Sequence, residues 1–76
     1  MQAVADLAAR LSVSLDAIVV LSAAPVEWHD TGLGLPQPGY VYAHVLTPGY
    51  RIDLQAGATR YRYHSDMRRV VFAGTV

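Results

Sequence analysis

Two Pro-Gly-Tyr triplets, at residues 38–40 and 48–50, constrain the fold of this chain more than any other feature. Proline followed by glycine is typical of turns, because proline lacks an N–H donor and glycine tolerates positive φ. After the second triplet, Tyr50, Ile52 and Leu54 alternate with polar residues, and so do Tyr61 and Tyr63. A period of two is typical of β-strands. The sequence therefore predicts an antiparallel hairpin over residues 50–64.

The hairpin needs a turn, and Ala56-Gly57 is the candidate. Alanine fits the positive φ of a tight hairpin turn poorly, so we expect a bulge at Ala56. This turn sets the predicted cross-strand neighbours, which are Asp53 with Arg60, Ile52 with Tyr61, and Tyr50 with Tyr63. Apolar residues then face apolar residues, and the arginines lie on the opposite face from the tyrosines.

The rest of the chain divides into a helix, a strand and a loop. Apolar residues at Val4, Leu7, Ala8 and Leu11 have helical spacing and predict an amphipathic helix over residues 3–11. A β-branched run predicts a strand over residues 17–26. Pro25 would either place this strand at the edge of a sheet or terminate it.

Three glycines and two prolines between His29 and Gly39 predict a long loop. Residues 40–46 fit either a strand or a short helix, and we favour the helix. A last strand is expected over residues 69–73. The predicted fold class is α+β, with the N-terminal helix packed on a curved antiparallel sheet of about four strands.

Composition limits the possible functions. The chain has 76 residues, of which 53% are hydrophobic and 16% charged, and its formal net charge is zero. These values predict a single globular domain over residues 1–76 and argue against a dedicated nucleic-acid binder. Cysteine is absent, which rules out disulfides and thiolate metal sites within the chain. No apolar run of about 18 residues is present, and the first residues lack the features of a signal peptide, so we expect no membrane insertion.

No catalytic or cofactor motif is recognisable. The histidines His29, His44 and His64 lack the short spacing of metal sites, and none of the serines has the glycine context of a nucleophile elbow. We therefore expect a non-catalytic domain with no cofactor and no bound metal.

The loop that follows the first strand is the principal candidate for a binding site. A long loop stiffened by prolines loses little entropy on binding, as in small protease inhibitors. The hypothesis is a protein-binding or inhibitor-like accessory module, with Leu33 or Leu35 as anchor. The candidate residues are Trp28, His29, Asp30, Leu33, Leu35, Pro36 and Pro38.

Two alternatives remain open. In the first, the domain is purely structural, and the loop only covers one end of the sheet with Trp28 and Leu35 buried. In the second, the domain binds nucleic acid through an arginine face, on which the secondary candidates are Arg51, Arg60, Arg62 and His64.

Five segments of the chain resemble a family of small bacterial domains found mostly in uncharacterised secreted proteins and lipoproteins. The segments are Asp6-Leu-Ala-Ala-Arg-Leu-x-Val-Ser, Val26-x-Trp-x-Asp30, Leu33-Gly-x-Pro-x-Pro-Gly39, Leu46-Thr-Pro-Gly-Tyr-Arg-Ile52 and Tyr61-x-Tyr-His-x-Asp66. The resemblance implies a secreted or cell-envelope location and no known activity. Members commonly carry cysteines where Leu35 and, near the end of the chain, Ala73 stand here. If those cysteines pair in relatives, Leu35 and Ala73 should be neighbours.

Overall fold

The computed structural model describes residues 1–76 and contains one α-helix and one four-stranded sheet. In chain order the elements are α1, Gln2–Leu11; β1, Ile18–Trp28; β2, Thr47–Ala56; β3, Thr59–Ser65; and β4, Val70–Thr75. The strands lie side by side in sequence order and all neighbours are antiparallel. The predicted α+β class, a helix followed by a four-stranded antiparallel sheet, is confirmed.

Helix α1 ends where the sequence predicts, although no glycine marks the position. Ser12 adopts the left-handed conformation with φ 55. Its N–H donates to the Ala9 carbonyl at 3.4 Å, and the N–H of Val13 donates to the Ala8 carbonyl at 3.1 Å. This pair of bonds is a Schellman cap, which satisfies carbonyls that the end of a helix would otherwise leave free.

The core lies between α1 and one face of the sheet. Leu7, Leu54 and Tyr63 are fully buried at its centre. The remaining buried members of the cluster are Ala3, Ala8, Ile18 and Ile52. The helix is too short to be stable in isolation, so its conformation depends on this contact with the sheet. The structure contains no helix with the length and apolar character that crossing a membrane requires.

A polar network joins the helix to the sheet beside this core. The Tyr63 hydroxyl donates to Asp6 Oδ2 at 2.6 Å, and Arg10 Nε donates to the same oxygen at 2.7 Å. The Arg10 guanidinium also lies over the Phe72 ring, 4.4 Å from its centroid. The hydrogen bond from Tyr63, followed by that from Arg10, holds the pKa of Asp6 below its usual value. Asp6 therefore favours its charged form in the folded protein.

Strand β1 is an edge strand, as Pro25 predicts. Pro25 lies opposite Tyr50 of β2, and no strand pairs with the other side of β1. The register of this pair shifts between Val20 and Ser22, which is a β-bulge at Leu21. A second shift lies between β3 and β4 at Ala73. Proline and bulges are both typical of sheet edges.

The turn between β2 and β3 differs from the prediction. Ala56 pairs with Thr59, so the loop consists of Gly57 and Ala58. Only the first of these two residues has positive φ, which is the sign pattern of a type II′ turn. The bulge predicted at Ala56 is therefore wrong, because glycine occupies the position that needs positive φ.

The predicted register of the hairpin is also wrong, by two residues. Ile52 faces Tyr63, and Asp53 faces Arg62 rather than Arg60. Because side chains alternate along a strand, a shift of two keeps every side chain on its predicted face. The separation of the tyrosine and arginine faces is consequently unaffected.

The helix predicted over residues 40–46 is wrong, because this segment is irregular. Its backbone bonds to the preceding loop instead of to itself. The Ala43 carbonyl accepts from the Thr31 N–H, and the Ala43 N–H donates to Thr31 Oγ1, both at 3.0 Å. The side chain of Val41 is fully exposed, so it contributes no packing that would stabilise a short helix here.

Gly49 provides a stability test, since β2 passes very close to the end of β3 there. A Cβ at Gly49 would lie 1.8 Å from the Ser65 carbonyl oxygen. We expect Gly49→Ala to cost about 3 kcal/mol or more, because backbone must move to relieve the clash. The matched control is Gly34→Ala, where φ is +73 but nothing lies within 4 Å, and its backbone strain should cost about 1 kcal/mol. Urea denaturation followed by circular dichroism measures both, and equal losses would contradict the account.

Tyr63→Phe tests the network at Asp6. Because the Asp6 carboxylate is partly exposed, we expect a loss of about 1 kcal/mol in the free energy of unfolding at neutral pH. The pKa of Asp6 is lower folded than unfolded. Its stabilisation is thus complete above about pH 4, the unfolded value, and is lost as pH falls through the folded pKa.

The difference between wild type and Tyr63→Phe in urea denaturation should therefore shrink from neutral to strongly acidic pH. Tyr61→Phe is the control, since the Tyr61 side chain donates no hydrogen bond and should change little at any pH. A difference for Tyr63→Phe that stays constant across this range would show that its hydroxyl does not act through Asp6.

Candidate functional site

The segment between β1 and β2, residues 29–46, is here called the site loop. It begins with a tight turn in which Leu33 and Gly34 both have positive φ, 58 and 73. The left-handed conformation is unfavourable for leucine, by about 1–2 kcal/mol. The Leu33 side chain is fully buried, and burial of a leucine offsets a cost of this size. Packing beneath the loop therefore decides the shape of the turn.

Trp28 and His64 hold the first half of the site loop against the sheet face opposite α1. The two rings are stacked with centroids 4.3 Å apart. Trp28 Nε1 donates to the Ser65 carbonyl at 2.8 Å. His64 Nδ1 lies 2.7 Å from the Leu33 carbonyl oxygen, and because a carbonyl only accepts, Nδ1 must carry the proton. Both side chains therefore have structural roles.

Arg69, in the turn before β4, provides a second attachment. Its guanidinium donates to the Thr31 carbonyl and lies beside Asp66, with Nε 3.7 Å from Oδ2. Asp66 Oδ1 accepts the backbone N–H groups of Arg68 and Arg69 at 2.7 and 2.8 Å. Burial opposes ionisation of Asp66, but these N–H groups outweigh it and lower its pKa. The β3–β4 turn is thus ordered and positions Arg69 against the loop.

The second half of the site loop folds back over the first. Besides the two bonds between Thr31 and Ala43, the Gln37 N–H donates to the Tyr42 hydroxyl at 3.0 Å. Gly32 lies against the Tyr42 ring, and a Cβ there would be 3.0 Å from both Tyr42 Cγ and Asp30 Oδ1. The Tyr42 ring and the Asp30 carboxylate therefore both border Gly32.

A cavity of about 450 Å³ opens between the two halves of the site loop. Its lining residues are Asp30, Pro36, Tyr40, Val41, Tyr42 and His44. The volume lies within the range of small-molecule and side-chain binding pockets. Tyr40 and Tyr42 are stacked, with centroids 6.3 Å apart. The cavity therefore offers aromatic surface, one carboxylate and one imidazole.

The predicted loop residues divide between support and surface. Asp30 and Pro36 line the cavity. Leu33 is fully buried, so the hypothesis that it anchors a partner is wrong, because its side chain would have to leave the interior. The purely structural alternative expects Leu35 and Trp28 to be buried. Both are only half-buried. His29 and Pro38 are exposed.

Sequence reasoning missed four lining residues, which are Tyr40, Val41, Tyr42 and His44. The signal was present in the first Pro-Gly-Tyr triplet and in the alternation of Tyr40 and Tyr42 that follows it. The helix predicted over residues 40–46 would have placed these two rings on different sides, so sequence reasoning did not bring them together. The predicted proximity of Leu35 and Ala73 stays a prediction.

The arginine face lies opposite α1, and its members are not equivalent. Arg62 donates to both oxygens of Asp53, at 2.8 and 3.2 Å. Arg62, and to a lesser extent Arg51 and Arg60, lowers the pKa of Asp53. His64, the fourth candidate, is instead committed to Trp28 and Leu33. The face therefore has two exposed arginines without a carboxylate partner beside one closed ion pair.

No group of three or more His, Cys, Asp or Glu side chains is placed to hold a metal ion. Asp30 and His44 line the same cavity, but two side chains are fewer than a zinc or calcium site requires.

Comparison with known proteins agrees with the expected resemblance at a coarse level. No curated protein and no solved structure matches the chain. The pattern of one family, described as a domain of unknown function (DUF8738), matches residues 1–73. The match supports a small uncharacterised domain family, while the secreted setting and the cysteine pattern remain predictions. Because the match covers nearly the whole chain, this protein belongs to the DUF8738 family.

Proposed function

We propose that this domain is a non-catalytic binding module that docks another protein through the cavity of the site loop. The observation that carries the proposal is the concentration of exposed apolar side chains around that cavity. Tyr40 is 71% exposed and Val41 100% exposed, and Val45 and Leu46 follow on the same segment. Exposed apolar side chains grouped on one segment are typical of interaction sites.

The attachment of the site loop supports the same function. Hydrogen bonds from Arg69 to Thr31, from His64 to Leu33 and between Thr31 and Ala43 hold its backbone in one conformation. A loop that is already ordered loses little conformational entropy when it binds. The exposed side chains of Tyr40 and Val41 therefore lie on an ordered backbone. A loop that only covers the sheet would not need this order.

The alternative functions are less well supported. An inhibitor-like mode would need an exposed anchor, but Leu33 is fully buried and Leu35 half-buried, so the proposed contacts are the exposed Tyr40 and Val41. On the arginine face, Arg62 is occupied by Asp53, which weakens the case for nucleic-acid binding. A purely structural role would not explain why apolar side chains within residues 40–46 are exposed.

Selection from a displayed random-peptide library tests the proposal. We expect peptides that bind the wild type at least about tenfold more tightly than Tyr40→Ser or Val41→Ser, because few residues dominate such contacts. Val19→Ser, a similarly exposed apolar position on β1, is the matched control and should leave binding unchanged. Selected peptides that bind all four proteins equally would contradict docking at this cavity.

Arg69→Gln tests whether the site loop is ordered by its attachments. Losing the guanidinium frees the Thr31 carbonyl, and we expect amide hydrogen exchange at Thr31 and Leu35 to accelerate about fivefold, equivalent to about 1 kcal/mol. Arg68→Gln is the control, because only the backbone of Arg68 forms a hydrogen bond. Equal exchange rates in both variants would show that Arg69 does not hold the loop.

A further inference from the structure

Asp30 differs from every other acidic residue in the chain. Asp6, Asp53 and Asp66 each pair with an arginine of the same molecule. Asp16 and Glu27 are unpaired but exposed. Asp30 is half-buried, forms no salt bridge and accepts only one long bond, 3.4 Å, from the Gly34 N–H. Asp30 is therefore the one half-buried acidic residue in the chain without an arginine partner.

The walls of the cavity are suited to a cation. None of the arginines lines it, so Asp30 is its only formally charged residue at neutral pH apart from the titratable His44. The Asp30 carboxylate and the Tyr42 ring line the same cavity, and the Tyr40 ring is stacked on the Tyr42 ring. Aromatic faces attract cations, and a carboxylate accepts two parallel bonds from a guanidinium.

The protein already uses this combination once, at α1. There the Arg10 guanidinium lies 4.4 Å from the centroid of the Phe72 ring and donates to Asp6 at 2.7 Å. The cavity likewise has aromatic rings and a carboxylate in its lining, and none of the chain's own arginines lines it.

We propose that the cavity binds an arginine side chain of the partner protein, with the guanidinium against the tyrosine rings and bonded to Asp30. This inference rests on the proposed function, because it names the chemistry that the docked protein presents. Arginine is preferred to lysine, since a planar guanidinium can stack on a ring and bond to both oxygens of a carboxylate at once.

The test is a titration of the ¹⁵N-labelled domain, followed by NMR, with N-acetyl-arginine methylamide. N-acetyl-citrulline methylamide is the matched probe, because it has nearly the same shape without the charge. We expect saturable chemical-shift changes confined to residues 30–44. The arginine probe should bind about tenfold more tightly than the citrulline probe, and its affinity should fall when salt is added. The lysine analogue should bind between the two.

Variants complete the test. Asp30→Asn retains an acceptor for the Gly34 N–H and should make the two probes equal, while Tyr40→Leu should weaken the arginine probe and leave the fold intact. Asp16→Asn, an exposed carboxylate elsewhere, should change nothing. Equal binding of arginine and citrulline by the wild type would overturn the proposal. Shifts of residues 30–44 with protein concentration alone would also overturn it, by placing a second copy of the chain in the cavity.

The two proposals fail separately. Library peptides that require Tyr40 but carry no enriched arginine would overturn the arginine inference and leave the docking function standing. Specific binding of the arginine probe, combined with no peptide that depends on Tyr40 or Val41, would overturn docking of a protein and leave a site for a free guanidinium compound.

Discussion

The contact of Trp28 with the end of β3 determines how the second half of the molecule is built. The indole stacks on His64 and donates to the Ser65 carbonyl, and the absence of a side chain at Gly49 lets the strands approach closely enough at this point. His64 in turn holds the Leu33 carbonyl, so one aromatic pair connects β1, β3 and the site loop. The site loop, which forms the cavity, leaves β1 immediately after Trp28.

The two faces of the sheet are covered by different physical means. Apolar burial holds α1 on one face, where Leu7, Leu54 and Tyr63 are fully enclosed. On the other face the site loop is held by its buried Leu33 side chain and by hydrogen bonds to its backbone from Arg69 and His64. Hydrogen bonds order a backbone without consuming apolar side chains. Tyr40 and Val41 consequently stay exposed, which is the property on which the proposed binding function rests.

Local patterns predicted most of the fold because they record which face of an element is buried. The spacing of Val4, Leu7 and Leu11 located the helix, and the alternation from Tyr50 to Tyr63 located the hairpin and its faces. The same alternation cannot distinguish a register from one shifted by two residues, since both bury the same side chains. For the candidate site, composition identified the loop and Asp30, but not Tyr40, Tyr42 or His44, whose positions depend on contacts with residues distant in sequence.

The sequence by itself determined the helix, the edge position of β1, the hairpin and the presence of a long stiff loop, because each follows from the spacing of neighbouring residues. Only the tertiary structure decided that Leu33 is buried, that residues 40–46 are irregular, and that Asp30, which has no salt bridge, lines one cavity with Tyr40 and Tyr42. The physical reason is that these features depend on hydrogen bonds and packing between residues far apart in the chain, such as Thr31 with Ala43 and Leu33 with His64. No local period encodes which of these partners will meet.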